Sequence, residues 1–326
     1  MMSRSKYQRP LLIGGVFFAY HLYQYHLYVH PPPPSKETKT LVTKKFPESA
    51  IQRDAGTGWK MINFLDPQIS FGGLDNCDYI SFTSTTGNSA KMCVHIIRDF
   101  VSNHIRRQKR WNDCDPLPEL WNASKTGATN EVYVEIGANI GSCVMEMLMS
   151  TDANIVAFEP TPKNYELLSR TIHLLGPEHQ RRVALFPIAL GSESVKSQVY
   201  SGEGNFGNSV IGKPIKDFGS QQMKEPVDIF VERIDSVLSD NVSIPLMKLD
   251  AQGFECQILD GMSPVIAANI NQIKFEIAQK WLGQQGCTNL LPRLRNLGFV
   301  ITGTTGKVID SNSLNCGVCD AYATKK

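Results

Sequence analysis

From Glu131 onward the chain alternates short apolar runs with helix-like segments, and this alternation constrains the fold more than any other feature. The runs VYVEIG (132–137), NIVAFEP (154–160), VALFPIAL (183–190), PLMKLD (245–250), QIKFEIA (272–278) and FVITG (299–303) read as strands of a parallel sheet with helical crossovers. In the segment NYELLSRTIHLLG, Tyr165, Leu168, Ile172 and Leu175 recur at three- and four-residue steps, which predicts an amphipathic helix ended by Gly176 and Pro177. A longer stretch between the third and fourth strands, SGEGNFGNSVIG followed by VDIFVERIDSVL, predicts a glycine-rich loop and an edge strand on the substrate side. With 326 residues and 42% hydrophobic content there is ample material for a core. A net charge of +2 gives no nucleic-acid footprint, so the expectation is no nucleic-acid partner.

The N-terminal region differs in texture. A basic start with Arg4, Lys6 and Arg9 leads into the apolar stretch Leu11–Val29, whose nineteen residues nearly span a hydrocarbon core of about 30 Å. Residues 1–30 therefore read as a cytosolic stub and a transmembrane anchor. His21, Gln24 and His26 within the stretch keep an amphipathic targeting segment or a surface helix as alternatives. Residues 31–57, rich in proline and lysine, read as a linker, 58–130 as an accessory region, 131–310 as the catalytic domain and 311–326 as a C-terminal tail. The expected location is a single-pass membrane protein with a lumenal domain in the endoplasmic reticulum or Golgi, or else a domain on the cytosolic face. In the lumenal case the triplets at Asn122 and Asn241 would be glycan acceptors. Among eight cysteines only Cys316 and Cys319 form a CxxC, read as loop thiols near the C-terminus. The alternative, a disulfide with the cluster Cys77, Cys93 and Cys114, requires an oxidising compartment. Oligomeric state is not legible.

Three segments carry chemistry. In VYVEIGANIG the strand runs through Glu135 into Gly137, Ala138, Asn139 and Gly141 and then into a helix, whose N-terminal amides and dipole suit an anionic group of a cofactor. The G-x-x-x-G spacing lacks the G-x-G-x-x-G of a pyrophosphate loop, which argues against a nicotinamide-dependent oxidoreductase. Glu159, followed by Pro160 at the end of the second strand, is placed to accept hydrogen bonds from ribose hydroxyls, and Ala189 and Leu190 provide an apolar wall for an adenine. In PLMKLDAQGFECQILDGM, Lys248 and Asp250 share one strand face at period two, with Glu255 at the start of the next helix. Glu276 lies in the neighbouring strand, where it either supports the site or pairs with Lys248. No metal is called for.

The stretch from about Glu131 to Gly303 resembles the FkbM-type methyltransferase family. VYVEIGANIG looks like its cofactor loop, VAFEP its ribose-binding strand, FPIALG its third strand and MKLDAQGFECQILDGM its lysine and acid signature. Gln252 stands where the family usually has a glutamate. The resemblance implies a Rossmann-like class I methyltransferase fold of the α/β class, a mostly parallel twisted sheet with helices on both faces. It implies S-adenosyl-L-methionine as cofactor, transfer to oxygen, and a sugar, glycan or other small acceptor. The expected cofactor residues are Glu135, Gly137, Ala138, Asn139, Gly141, Glu159, Pro160, Ala189 and Leu190. The expected catalytic group comprises Asp250 as base or orienting carboxylate, supported by Lys248, Glu255 and Glu276. The competing expectation is a non-catalytic membrane-tethered protein that keeps the fold without turnover.

Overall fold

A computed structural model of the chain describes residues 46–51, 77–214, 223, 225–311 and 316–325. The anticipated anchor, the linker up to residue 45 and from 52 to 57, and residues 58–76 of the accessory region fall outside them. The linker's residues 46–51 are described and pack on the domain, with Phe46 N donating to the Arg181 carbonyl at 2.9 Å and Ala50 fully buried. Among the described residues no helix is long and apolar enough to cross a membrane.

In chain order the hairpin β1 (Asp78–Thr83) and β2 (Ser89–Val94) is followed by helices α1 (Phe100–Gln108) and α2 (Leu117–Ser124). Next come β3 (Glu131–Ile136), α3 (Ser142–Ser150), β4 (Asn154–Phe158), α4 (Pro162–Leu174) and β5 (Val183–Phe186). The strands β6 (Ala189–Leu190), β7 (Val195–Gly202), β8 (Asn205–Ile211) and β9 (Val227–Glu232) lead to β10 (Ser243–Leu249) and α5 (Glu255–Asp260). The chain closes with β11 (Ile270–Ala278), α6 (Leu290–Asn296), β12 (Phe299–Gly303) and β13 (Val318–Lys325). The main sheet has the order β12-β13-β11-β10-β3-β4-β5. Its pairings from β11 through β5 are parallel, whereas β13 runs antiparallel to both neighbours.

The continuous apolar strands are explained by cover on both faces. All six residues of β3 are buried. At period two, Val132, Val134 and Ile136 join one core with Val156, Phe158, Phe186, Met247 and Leu249, closed by Ile258 and Leu259 of α5 and Leu291 and Leu294 of α6. Tyr133 faces the other way, into a core with Ile155, Leu185 and Leu246 under Val144, Met147 and Leu148 of α3 and Leu168 and Ile172 of α4. Helix α4 thus buries the stripe anticipated from its spacing, and Gly176 follows it at φ 84°. The accessory hairpin adds a further layer on these helices. Thr85 N donates to Glu146 at 3.0 Å, Asn88 Nδ2 to the Met149 carbonyl at 2.8 Å, and Cys93 N to Thr171 Oγ1 at 3.0 Å.

Three expectations are corrected. The run 183–190 is not one strand: Pro187 interrupts it, and Ala189–Leu190 leaves for a separate four-stranded sheet of order β6-β9-β7-β8, formed by the insertion that was expected to give only a loop and an edge strand. The anticipated C-terminal tail contains β13, inserted between β11 and β12, where Ala321 and Ala323 are fully buried. Finally, Cys316 and Cys319 are not loop thiols. They are bonded to each other, and the remaining six cysteines pair as Cys77–Cys93, Cys114–Cys143 and Cys256–Cys287.

Candidate active site

In an open α/β sheet the natural crevice lies at the carboxyl ends of strands where the order of connection reverses. Here the chain leaves β3 toward β4 and β5 and later returns to β10 on the other side of β3, so the reversal lies between β3 and β10. A cleft of about 580 Å³, mouth included, opens at that point. Its walls are built from the ends of four main-sheet strands together with Phe206, Gly207, Ser209 and Ile211 of β8.

The turn after β3 is held almost entirely by its own chain. Gly137 N and Ala138 N donate to the Phe158 carbonyl at 3.1 and 3.0 Å, Asn139 N to Glu159 Oε2 at 2.8 Å, Ile140 N to Asn139 Oδ1 at 2.8 Å, and Gly141 N to the Ala138 carbonyl at 2.9 Å. These five amides are therefore spent within the protein. The helix N-terminus expected to face an anionic cofactor group begins one residue later, at Ser142, so its first amides are not among these five, whereas a pyrophosphate finds no amide cradle at the turn itself. Asn139 sits at φ 51°, a left-handed backbone that asparagine tolerates better than most residues.

Glu159 is 4% exposed and faces the same turn. Besides Asn139 N on Oε2, its Oε1 accepts Thr161 N at 2.9 Å and Asn164 Nδ2 at 3.4 Å. Burial pushes this carboxyl up, while those donors pull it back toward the charged form. A carboxylate offers about four acceptor positions, and with these three donors about one remains for a hydroxyl entering the cleft. Asn164 escaped the sequence reading. It lines the cleft, is fixed by His95 Nε2 at 3.0 Å and donates to the Phe206 carbonyl at 3.2 Å. The apolar walls come from Ile136, Phe158, Ile188, Ala189 and Leu190.

The second half of the site is a buried row of charges. Parallel register sets Glu135 of β3, Lys248 of β10 and Lys274 of β11 side by side on one face. Lys248 Nζ lies 2.9 Å from Asp250 Oδ2, 3.7 Å from Glu135 and 3.9 Å from Asp113. Lys274 pairs with Asp113 and, at 3.0 Å, with Asp320 of β13. The Tyr133 hydroxyl donates to Glu135. Two ammonium groups on a buried strand face are tolerable only because carboxylates surround them. Asp113 and Asp320 were invisible to the sequence reading, because one comes from the accessory region and the other from the supposed tail.

Of the anticipated residues, Gly137, Asn139, Glu159, Pro160, Ala189, Leu190 and Asp250 line the cleft. Ala138 and Gly141 shape the turn behind it, and Glu135 and Lys248 lie beneath it in the charge row. Glu255 accepts Ala251 N at 2.9 Å and Gly253 N at 3.3 Å, so it pins the turn that carries Asp250. Glu276 does not take Lys248 as its partner; it accepts Gln252 Nε2 at 3.1 Å, and the same nitrogen donates to Asp250 Oδ1 at 2.6 Å. Gln252 itself lines the cleft at φ 52°, with its buried Oε1 lacking a hydrogen-bond partner.

Burial pushes both Glu135 and Glu255 up to about 7, against the pull of Lys248 on the first and of backbone amides on the second. Between their ordinary value of 4.5 and about 7 the folded chain keeps protons that the unfolded chain has released. The stability they contribute is complete below that window and falls as pH rises through it. Asp113 has the opposite sign: although burial opposes it, Lys274 and Lys248 hold it well below the usual carboxylate range, and its contribution is lost only in strong acid. The melting temperature is therefore expected to drop by a few degrees, about 2–4 °C per kcal/mol, from mildly acid to neutral pH. Glu135→Gln should flatten this slope; a wild-type melting temperature that rises across the window would contradict the assignment.

No curated protein matches the chain. Among solved structures, it is similar to a SAM-dependent O-methyltransferase from Thermotoga maritima, with 10% identity over 77% of this chain and 78% of that one, TM-score 0.35. It is also similar to a precorrin-6y C5,15-methyltransferase from Geobacter metallireducens, with 12% identity over 64% and 86% of the two chains, TM-score 0.32. These likenesses are too distant to carry an argument. The Methyltransferase FkbM domain family matches residues 135–301, just over half the chain, from Glu135 of β3 to Ile301 of β12, and the chain belongs to that family.

Proposed function

We propose that this S-adenosyl-L-methionine-dependent methyltransferase methylates an oxygen, on a hydroxyl of a sugar, glycan or other small acceptor, and that Asp250 receives the proton. The methyl donor's chemistry follows from the family: a sulfonium carries an already activated methyl group, so no metal is needed for the transfer. The cleft suits that donor. Apolar walls at Ile188, Ala189 and Leu190 fit a purine, and the buried Glu159, with Asn164 beside it, fits a ribose hydroxyl.

The single observation that carries the oxygen reading is the pairing of Asp250 and Gln252 at the cleft wall. A hydroxyl acceptor must be aligned with the methyl carbon and must lose one proton as the new C–O bond forms. Asp250 is a carboxylate at that wall, oriented by Lys248 on one oxygen and by Gln252 on the other. The unpartnered Gln252 Oε1 is an acceptor suited to a second hydroxyl of the same molecule, as a polyol presents. Glutamine at this position supplies, through Nε2, a donor to Asp250 and Glu276 that an ionised glutamate lacks, and keeps a further charge out of a neighbourhood already holding Asp250, Glu255 and Glu276.

The test is acceptor-dependent methyl transfer from labelled S-adenosylmethionine to a panel of free sugars, glycans and amines. Products labelled on oxygen are expected, with no turnover on amines. Labelling on nitrogen alone would overturn the oxygen reading, and donor binding without turnover on any acceptor would favour a non-catalytic role.

A further inference from the structure

All eight cysteines lie in described residues, and all are paired. The Cα separations are 5.6 Å for Cys77–Cys93, 4.9 Å for Cys114–Cys143, 5.5 Å for Cys256–Cys287 and 5.9 Å for Cys316–Cys319, each within the range a disulfide spans. Six of the eight are buried. A chain kept reduced has no need to bring every thiol opposite another, and persistent disulfides belong to oxidising compartments.

A second observation is independent of sulfur. The two triplets Asn122-Ala-Ser124 and Asn241-Val-Ser243 place both asparagines on the exposed surface, one on α2 and one in the turn before β10. Neither lines the cleft. A bulky glycan on either would project into solvent without touching the site.

We infer that this domain matures in the secretory pathway, cross-linked by four disulfides and carrying N-linked glycans on Asn122 and Asn241. The inference does not rest on the proposed acceptor. It does bear on the site, because Cys114 follows Asp113, and its bond to Cys143 of α3 tethers the accessory region where Asp113 reaches over Lys248 and Lys274.

The test uses the full chain expressed with its own N-terminus in a eukaryotic secretory cell. Denatured without reductant, it should offer no thiol to a maleimide; after reduction it should offer all eight. Peptide N-glycosidase should increase its mobility by two glycan steps. Asn122→Gln and Asn241→Gln should each remove one step, while Ser124→Thr and Ser243→Thr, which keep the triplets, should remove none. Reductant should lower the melting temperature by roughly 10 °C or more. A one-step shift would remove the unmodified asparagine from the assignment. Freely labelled thiols without reductant, or mobility untouched by the glycosidase, would overturn the compartment itself.

Discussion

Gly137→Ala is expected to cost at least about 3 kcal/mol of stability and to abolish cofactor binding at ordinary concentrations. A Cβ at Gly137 would sit 1.9 Å from the Asp250 carbonyl oxygen and 3.0 Å from its carbonyl carbon, at φ +80°. The obstacle is backbone of β10's end, not a side chain that can swing away, so β3 and β10 would have to separate at the point where the cleft opens. Gly127→Ala provides the control: its φ is +89° with nothing within 4 Å of the added carbon, and it should lose only about 1 kcal/mol. Denaturation midpoints compare the two directly. Equal losses would mean that Gly137 is needed for its dihedral alone and that the close approach of the two strands is unimportant.

The second large effect belongs to Asp250→Asn. Loss of the proton acceptor should lower kcat by about 100-fold or more, with the dissociation constant for S-adenosylmethionine unchanged within about twofold. The change also takes a charge from Lys248, but that ammonium retains Glu135 at 3.7 Å and Asp113 at 3.9 Å, so the fold should survive. Separate measurement of binding and turnover matters here, since a merely structural Asp250 would move melting temperature and affinity with the rate. Full turnover in the variant would remove Asp250 from proton transfer.

Much of this site could be read from the chain because parallel strands covered on both faces have to be apolar throughout. Polar residues such as Glu135, Lys248, Asp250 and Glu276 therefore stand out against them. Glu159 was legible for the same reason, at the end of NIVAF. What escaped depends on distance in sequence. Asp113 reaches Lys274 from 161 residues away, and nothing in its local sequence marks that destination. Strand β13 was read as a tail because Val318–Lys325 alternates small and polar residues, with Ala321 and Ala323 buried where larger apolar groups would have announced a strand. The cysteine pairing follows only from the fold, since spacing does not fix connectivity. The turn at Gly137 shows a subtler limit. Its glycines and the acid across from it were visible, yet only the structure reveals that its amides are already satisfied by Phe158, Glu159 and Asn139.

That last point makes Glu159 both a brace for the turn and a proposed ribose acceptor, and one titration weighs the second role. Calorimetry of S-adenosylmethionine against the wild type and Glu159→Gln, which keeps the side chain's length and one acceptor, should show tight binding in the first and at least roughly tenfold weaker binding in the second. NAD should bind neither. Equal affinity of the two proteins for S-adenosylmethionine, with both folded, would contradict the placement of the donor against Glu159.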